Sequence, residues 1–322
     1  MGALDLPAEI FQYIFELLED DTVFKRALPT CMTLSYWDRK WDQETWNLID
    51  PLDSMYARQR DRYATIKAII FTCRQWYRFG HHLLYRSLFL SDPSKLAALC
   101  YALDRNSSLG WYTKRLHLVR FYATRRMSIA DLEHGLISII QQCPNLEIFT
   151  ADCPIAPSFL PIADTLCSFS WKTLRSVHWT LTPESLPRLI WALDSLSSLV
   201  SAHIDFEPAP PSSTDDVEES PRLGAASQLA LELPCLQQLS LRGLSQDFLD
   251  EAAGWSLPAL RSFSLDFVAN RHDLPDVVDF LTQHGAQLTF LDLNTLPSLD
   301  LAAILELCPE LTTFAFNPDW RL

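Results

Sequence analysis

Residues 233–265 read LPCLQQLSLRGLSQDFLDEAAGWSLPALRSFSL, and one phrase occurs in them twice. Pro-x-Leu-x-x-Φ-x-Φ, with Φ apolar, starts at Pro234 and again at Pro258, 24 residues later. The Φ-x-Φ ending sends alternate side chains to opposite faces, as a strand does. Proline two places ahead of the leading leucine stops a preceding helix and biases the chain toward extended structure. A phrase that returns at such an interval marks an internal repeat, and a repeat decides the architecture.

Working outward, leading leucines stand at 174, 236, 260, 288 and 311, in LRSVHW, LQQLSL, LRSFSL, LTFLDL and LTTFAF. LEIFTA at 146 and LVSAHI at 199 fit with Ala at one apolar position, and TKRLHL at 113 fits with Thr leading. From 146 onward the intervals are 28, 25, 37, 24, 28 and 23 residues, and Pro144 and Pro309 repeat the proline. Amphipathic stretches such as IADLEHGLISIIQQC, LPDVVDFLTQH and LAAILELC precede strands. Each unit thus predicts a helix, a proline stop and a short strand, and so small a unit buries its apolar face only against its neighbours. The longest interval holds FEPAPPSSTDDVEESPRLG, residues 206–224, whose Pro, Ser and acidic content predicts a solvated loop.

These units resemble the leucine-rich-repeat family. The resemblance implies an α/β solenoid arc over 93–322 with a parallel sheet on its concave face. The Asn or Cys that the family places beyond the last Φ is absent: Pro154, Thr182, Glu207, Leu244, Val268, Leu296 and Asp319 stand there. An irregular arc is therefore expected. Strand alternation predicts the side chains that leave the core: Ser176, His178 and Thr180; Ser201, His203 and Asp205; Gln238, Ser240 and Arg242; Ser262, Ser264 and Asp266; Phe290, Asp292 and Asn294; Thr313 and Asn317. On this concave strip His178, His203, Arg242, Asp266, Phe290 and Asp292 are the expected target-binding residues. The last unit stops at NPDWRL without an evident polar cap.

Upstream, LPAEIFQYIFELLED predicts a helix. Pro7 suits the first turn, Glu9 lies near the positive end of the helix dipole, and Ile10, Ile14, Leu17 and Leu18 share a stripe. A second helical pattern runs through YATIKAIIFTCRQWYRFGHHLLYRSLFL, with Ile66, Ile69, Ile70, Cys73 and Trp76 at helical spacing. Two short helices bury little by themselves, so their stripe calls for a partner groove. Leu6-Pro7 with Ile10, Ile14 and Leu17, then Cys73-Arg74-Gln75-Trp76, then Leu84-Tyr85-Arg86-Ser87-Leu88, resemble the F-box family over roughly residues 4–90. A helical segment over 1–92 is expected, with an insert at 19–65 carrying Trp37, Trp41, Trp46, Arg58, Arg60 and Arg62. Such an insert is entropically tolerable, because loop closure costs grow slowly with length.

Composition narrows the functional classes. The 322 residues carry a net charge of −14, which disfavours nucleic acid as main partner. Residues 56–86 hold seven positive side chains against Asp61, interleaved with Tyr56, Tyr63, Trp76 and Tyr77, but Trp76 belongs to the apolar stripe and charge runs are usually solvated. No run approaches a membrane span, and MGALDLPAEI shows no secretory pattern, so a cytoplasmic or nuclear protein is expected. Cysteines at 31, 73, 100, 143, 153, 167, 235 and 308 form no C-x-x-C pair, and no nucleophile elbow, phosphate loop, dinucleotide fingerprint or H-E-x-x-H occurs. No catalytic residue, metal or cofactor is expected. An enzyme would need His178, His203 and Asp205 to converge.

The F-box resemblance implies a substrate-recognition subunit of an SCF-type ubiquitin ligase. Leu6, Pro7, Ile10, Ile14, Leu17, Cys73 and Trp76 would serve a Skp-type adaptor and, through it, a cullin ligase, while the arc holds a protein target. The alternative is a repeat scaffold without ligase coupling.

Overall fold

The computed structural model describes residues 7–17, 36–40, 45–49, 51–119, 128–207, 223–243, 246–266, 277–293 and 301–315. The chain opens with helix α1 (Ala8–Leu17) and an antiparallel pair, β1 (Tyr36–Lys40) and β2 (Thr45–Ile49). Helices α2 (Pro51–Ile70), α3 (Arg74–Gly80) and α4 (Leu83–Arg86) lead into β3 (Ser87–Leu90). From there helix and strand alternate: α5 (Pro93–Arg105), β4 (Arg115–Val119), α6 (Ile129–Gln142), β5 (Ile148–Pro154), α7 (Phe159–Phe169), β6 (Ser176–Leu181), α8 (Leu186–Ser195) and β7 (Ser201–Phe206). Between β7 and β8 the described residues hold only a 3-10 turn (Gly224–Gln228), and the alternation resumes from β8 (Gln238–Arg242) with α9 (Gln246–Ala253), β9 (Ser262–Asp266), α10 (Val278–His284), β10 (Phe290–Asp292), α11 (Leu301–Leu307) and β11 (Thr313–Ala315).

Strands β3 to β11 form one nine-stranded sheet in chain order, and every pairing is parallel. The fold is therefore α/β with an open sheet, consistent with a solenoid-like arc. Every expected strand forms, and each starts two residues after its leading position. The first strand is an addition: Ser87–Leu90, read as the tail of the helical segment, pairs with β4 and begins the sheet.

Proline in the repeat does more than stop a helix. Pro144, Pro234, Pro258 and Pro309 each take the second place of a tight turn closed by the leading leucine. Leu146 N–H donates to the Cys143 carbonyl at 3.2 Å, Leu236 to Leu233 at 3.2 Å, Leu260 to Leu257 at 3.1 Å and Leu311 to Cys308 at 3.2 Å. Proline is pre-set for that place, since it fixes φ and has no N–H to lose.

The residue after each leading position then repeats a second device. Its carbonyl accepts two successive N–H groups from the next unit. The Lys114 carbonyl takes Glu147 at 2.7 Å and Ile148 at 3.0 Å, and Glu147, Arg175, Val200, Gln237, Arg261 and Thr289 do the same in turn. This row of shared carbonyls keeps the register through intervals of very different length.

Alternate strand residues point at the helices and make one continuous core. Leu116, Phe149, Trp179, Ile204, Leu241, Phe263 and Leu291 are fully buried there, with Leu136, Leu166, Leu189, Phe248 and Phe280 from the helices. Gly243, at φ +87° after β8, lies so close to the Phe206 carbonyl that a Cβ would collide with it. Most of the acidic 206–224 stretch lies outside the described residues, as do Leu6, Leu18, Trp41, Leu244, Val268, Asn294, Leu296, Asn317 and Asp319.

The N-terminal helices have a small core of their own: Phe11, Phe15, Ile66, Ile70 and Leu83, with Ile69, Trp76 and Leu84 against it. Gly80 allows this packing, because a Cβ there would come within 2.6 Å of the Ile70 side chain. Helix α2 starts at Pro51, well inside the expected insert, and reaches the sheet. Gln59 Nε2 donates to the Ser87 carbonyl at 3.4 Å and Arg62 to the Ser87 hydroxyl at 3.4 Å, so α2 covers part of the β3 edge.

Candidate functional site

One face of the sheet carries polar side chains in rows set by the parallel register. Across β3 to β10 one row reads Phe89, His117, Thr150, His178, His203, Ser240, Ser264 and Asp292. The next row toward the strand ends includes Thr180, Asp205, Arg242 and Asp266.

From β6 onward alternation assigns these residues to this face, and Phe89, His117 and Thr150 extend it over β3 to β5; half of the expected residues whose exposure is described do not reach solvent. Ser176, His178, Ser201, Gln238, Ser240, Ser264 and Asp292 are buried. Adjacent strands lie only about 4.8 Å apart, so short polar side chains in one row cover each other. Ser201 Oγ, for example, donates to Gln238 Oε1 at 3.1 Å. The expected open strip narrows to the strand ends, where Arg242 is exposed, and to the last strands, where Phe290 is half-buried and Thr313 exposed. Asp266 holds its place beside Arg242 in β9.

At the centre of this face three side chains converge. His178 and His203 are direct partners across β6 and β7, and Asp205 lies two residues beyond His203 on the same face. His178 Nε2 is 3.0 Å from Asp205 Oδ2, and His203 Nε2 is 2.9 Å from Oδ1. The two rings tilt against each other with centroids 4.1 Å apart. Their side chains are 5%, 14% and 15% exposed for His178, His203 and Asp205. Burial alone would raise the Asp205 carboxyl; the His203 and His178 imidazoles, by charge and by hydrogen bond, hold it well below the ordinary range. The convergence that an enzyme would need is thus present.

His117 stands two strands away, stacked on Phe89 at 4.4 Å. Burial, then the Arg115 charge and His178, push its imidazole down to about 3. The cysteines play a different part. Burial raises Cys143 and Cys167 to about 11 and, with Asp152 and Glu207 nearby, Cys153 to about 12. A thiol so disfavoured as thiolate packs as a small hydrophobe.

The N-terminal helices separate the expected adaptor residues into two groups. Trp76 is half-buried against the small core, with Phe11 and Phe15 edge-on to its ring at 5.8 and 6.0 Å. Cys73 supports it by capping α3: its sulfur accepts the Trp76 N–H at 3.5 Å. Outward on α1, Pro7 is exposed and Ile10 is 43% exposed, joined by Tyr13 at 59%. Phe11 and Phe15 of α1 are buried, while Ile10 is not. Ile14 and Leu17 fall in α1, and Leu6 lies outside the described residues.

Sequence reasoning did not foresee Tyr13, the docking of Gln59 and Arg62 on Ser87, or the burial of His117. Helical spacing brings Tyr13 beside Ile10, while the other two depend on how α2 and the strands meet. No known protein-family model matches the chain, and no curated protein matches it. Among the described residues no helix is long and apolar enough to cross a membrane.

Proposed function

We propose that the chain is the target-recognition subunit of an SCF-type ubiquitin ligase, built as an F-box segment joined to an irregular leucine-rich-repeat arc. Its N-terminal helices dock a Skp-type adaptor, and through it a cullin ligase, while the arc holds a protein target. Ubiquitin transfer belongs to other subunits. The observation that carries this reading is the two-sided α1. Phe11 and Phe15 clamp it to Trp76, and Ile10 and Tyr13 leave apolar surface uncovered on the other side. A helix held from behind with an apolar front suits helix-in-groove recognition. On the arc, target contact falls to Arg242 and Asp266 at the ends of β8 and β9 and to the half-buried Phe290 of β10, while His178, His203 and Asp292 share the neighbouring, largely buried row.

Co-expression with a Skp-type adaptor followed by size-exclusion chromatography tests the reading. Comigration at equal stoichiometry is expected. Separate elution of a chain that circular dichroism shows to be folded would overturn it.

One observation favours a second reading, a repeat scaffold without ligase coupling. Gln59 and Arg62 tie α2 to Ser87, as a cap on the first strand would. In that case the chain still binds a partner on the arc and elutes apart from the adaptor.

A further inference from the structure

We propose that His178, His203 and Asp205 form a binding site for a divalent transition-metal ion of the zinc class. The two Nε2 atoms and one Asp205 oxygen would hold it. All three donor atoms lie within 4.8 Å of one another, on adjacent strands whose register is set along their whole length.

Donor chemistry comes first. Two imidazoles and a carboxylate match zinc, which commonly takes three protein ligands and leaves a fourth position open. His178 Nε2 lies 3.0 Å from Asp205 Oδ2 and His203 Nε2 2.9 Å from Oδ1, so each imidazole already faces the carboxylate at a separation near the ~3.3 Å edge of a tetrahedron with bonds of ~2.0–2.1 Å. A turn of the carboxylate that presents one oxygen to both rings would complete the three-donor set. His203 and Asp205 keep 14% and 15% exposure, so the open position faces the accessible side.

Electrostatics favours the ion over the bare trio. A carboxylate so deeply buried is costly unless positive charge compensates it. One divalent cation supplies the charge with both rings neutral. Each ring then moves its proton from Nε2 to Nδ1 and offers a lone pair where it had donated a hydrogen bond, with no net change in protons. Arg242 flanks Asp205 in register, with its side chain exposed.

The full chain, produced without a polyhistidine tag and stripped with chelator, is dialysed against zinc chloride and the bound metal counted. About one ion per chain is expected, with a rise in unfolding temperature on adding zinc. His178→Gln, His203→Gln and Asp205→Asn should each weaken binding by at least about tenfold, the scale of losing even an outer partner of a metal ligand. Cobalt(II) substitution of the unaltered chain tests the site without relying on any variant. A tetrahedral visible spectrum without thiolate-to-cobalt charge transfer is expected. No bound metal, binding unchanged in folded variants, or a thiolate charge-transfer band would overturn the proposal.

Discussion

At the scale of single residues, His117 shows what placing an imidazole inside a polar row does. It is buried, and its imidazole is pushed down to about 3, against about 6.5 when the chain is unfolded. The unfolded chain therefore takes up the proton first as pH falls. The neutral ring's contribution is complete above about pH 6.5 and declines from there toward pH 3. By pH 5 it amounts to about 2 kcal/mol of lost stability. His117→Phe keeps a ring against Phe89 and removes the titrating group. Urea unfolding at pH 7 and pH 5 should show the variant losing about 2 kcal/mol less than the unaltered chain; parallel losses would contradict this. Alternation in TKRLHL gives the face on which His117 stands. It gives no depth, because depth comes from side chains on strands distant in sequence.

At the scale of elements, the repeated turn was partly legible. The prolines were visible in sequence, while the closing hydrogen bond required the fold. Leu196 to Leu199 makes the same closure at 3.0 Å with Ser197 in the proline place. Leu196 sits at φ −108°, ψ 48°, close to Cys143 before Pro144 at φ −113°, ψ 69°. Ser197→Pro should thus stabilise the chain by about 0.4–1 kcal/mol, read as a rise in the urea midpoint. A lower midpoint would mean the two turns differ. The N-terminal helices bear a second expectation at this scale. Trp76→Ala removes the ring that Phe11 and Phe15 face and should cost about 3 kcal/mol locally, seen as roughly hundredfold faster amide exchange in α1. Unchanged α1 exchange would show that Trp76 does not hold it. Helical periodicity places α1 and assigns its stripe to Ile10, Ile14, Leu17 and Leu18. Of these Ile10 stays 43% exposed, and the aromatic pair Phe11 and Phe15, one step round the helix from Ile10, is buried instead.

At the scale of the whole molecule, eight of the nine strands of the parallel sheet follow from one short phrase. β3 was hidden because SLFL reads equally well as the end of a helical segment; its strand character comes from pairing with β4. The row of shared carbonyls, from Lys114 to Thr289, explains why uneven intervals do not break the sheet. The His178, His203 and Asp205 trio was nameable only as a possibility, since 25 residues separate the two histidines and stacking alone brings them together. The molecule thus joins a small aromatic-cored helical unit to a long sheet, with uncovered apolar surface at the first and polar groups along the second. Hydrogen exchange of the full chain with and without a Skp-type adaptor tests that division most directly. Protection confined to α1 and the α3–α4 region, with the ends of β8 to β10 unchanged, is the expected result. Protection along the strand ends, or none in α1, would contradict it.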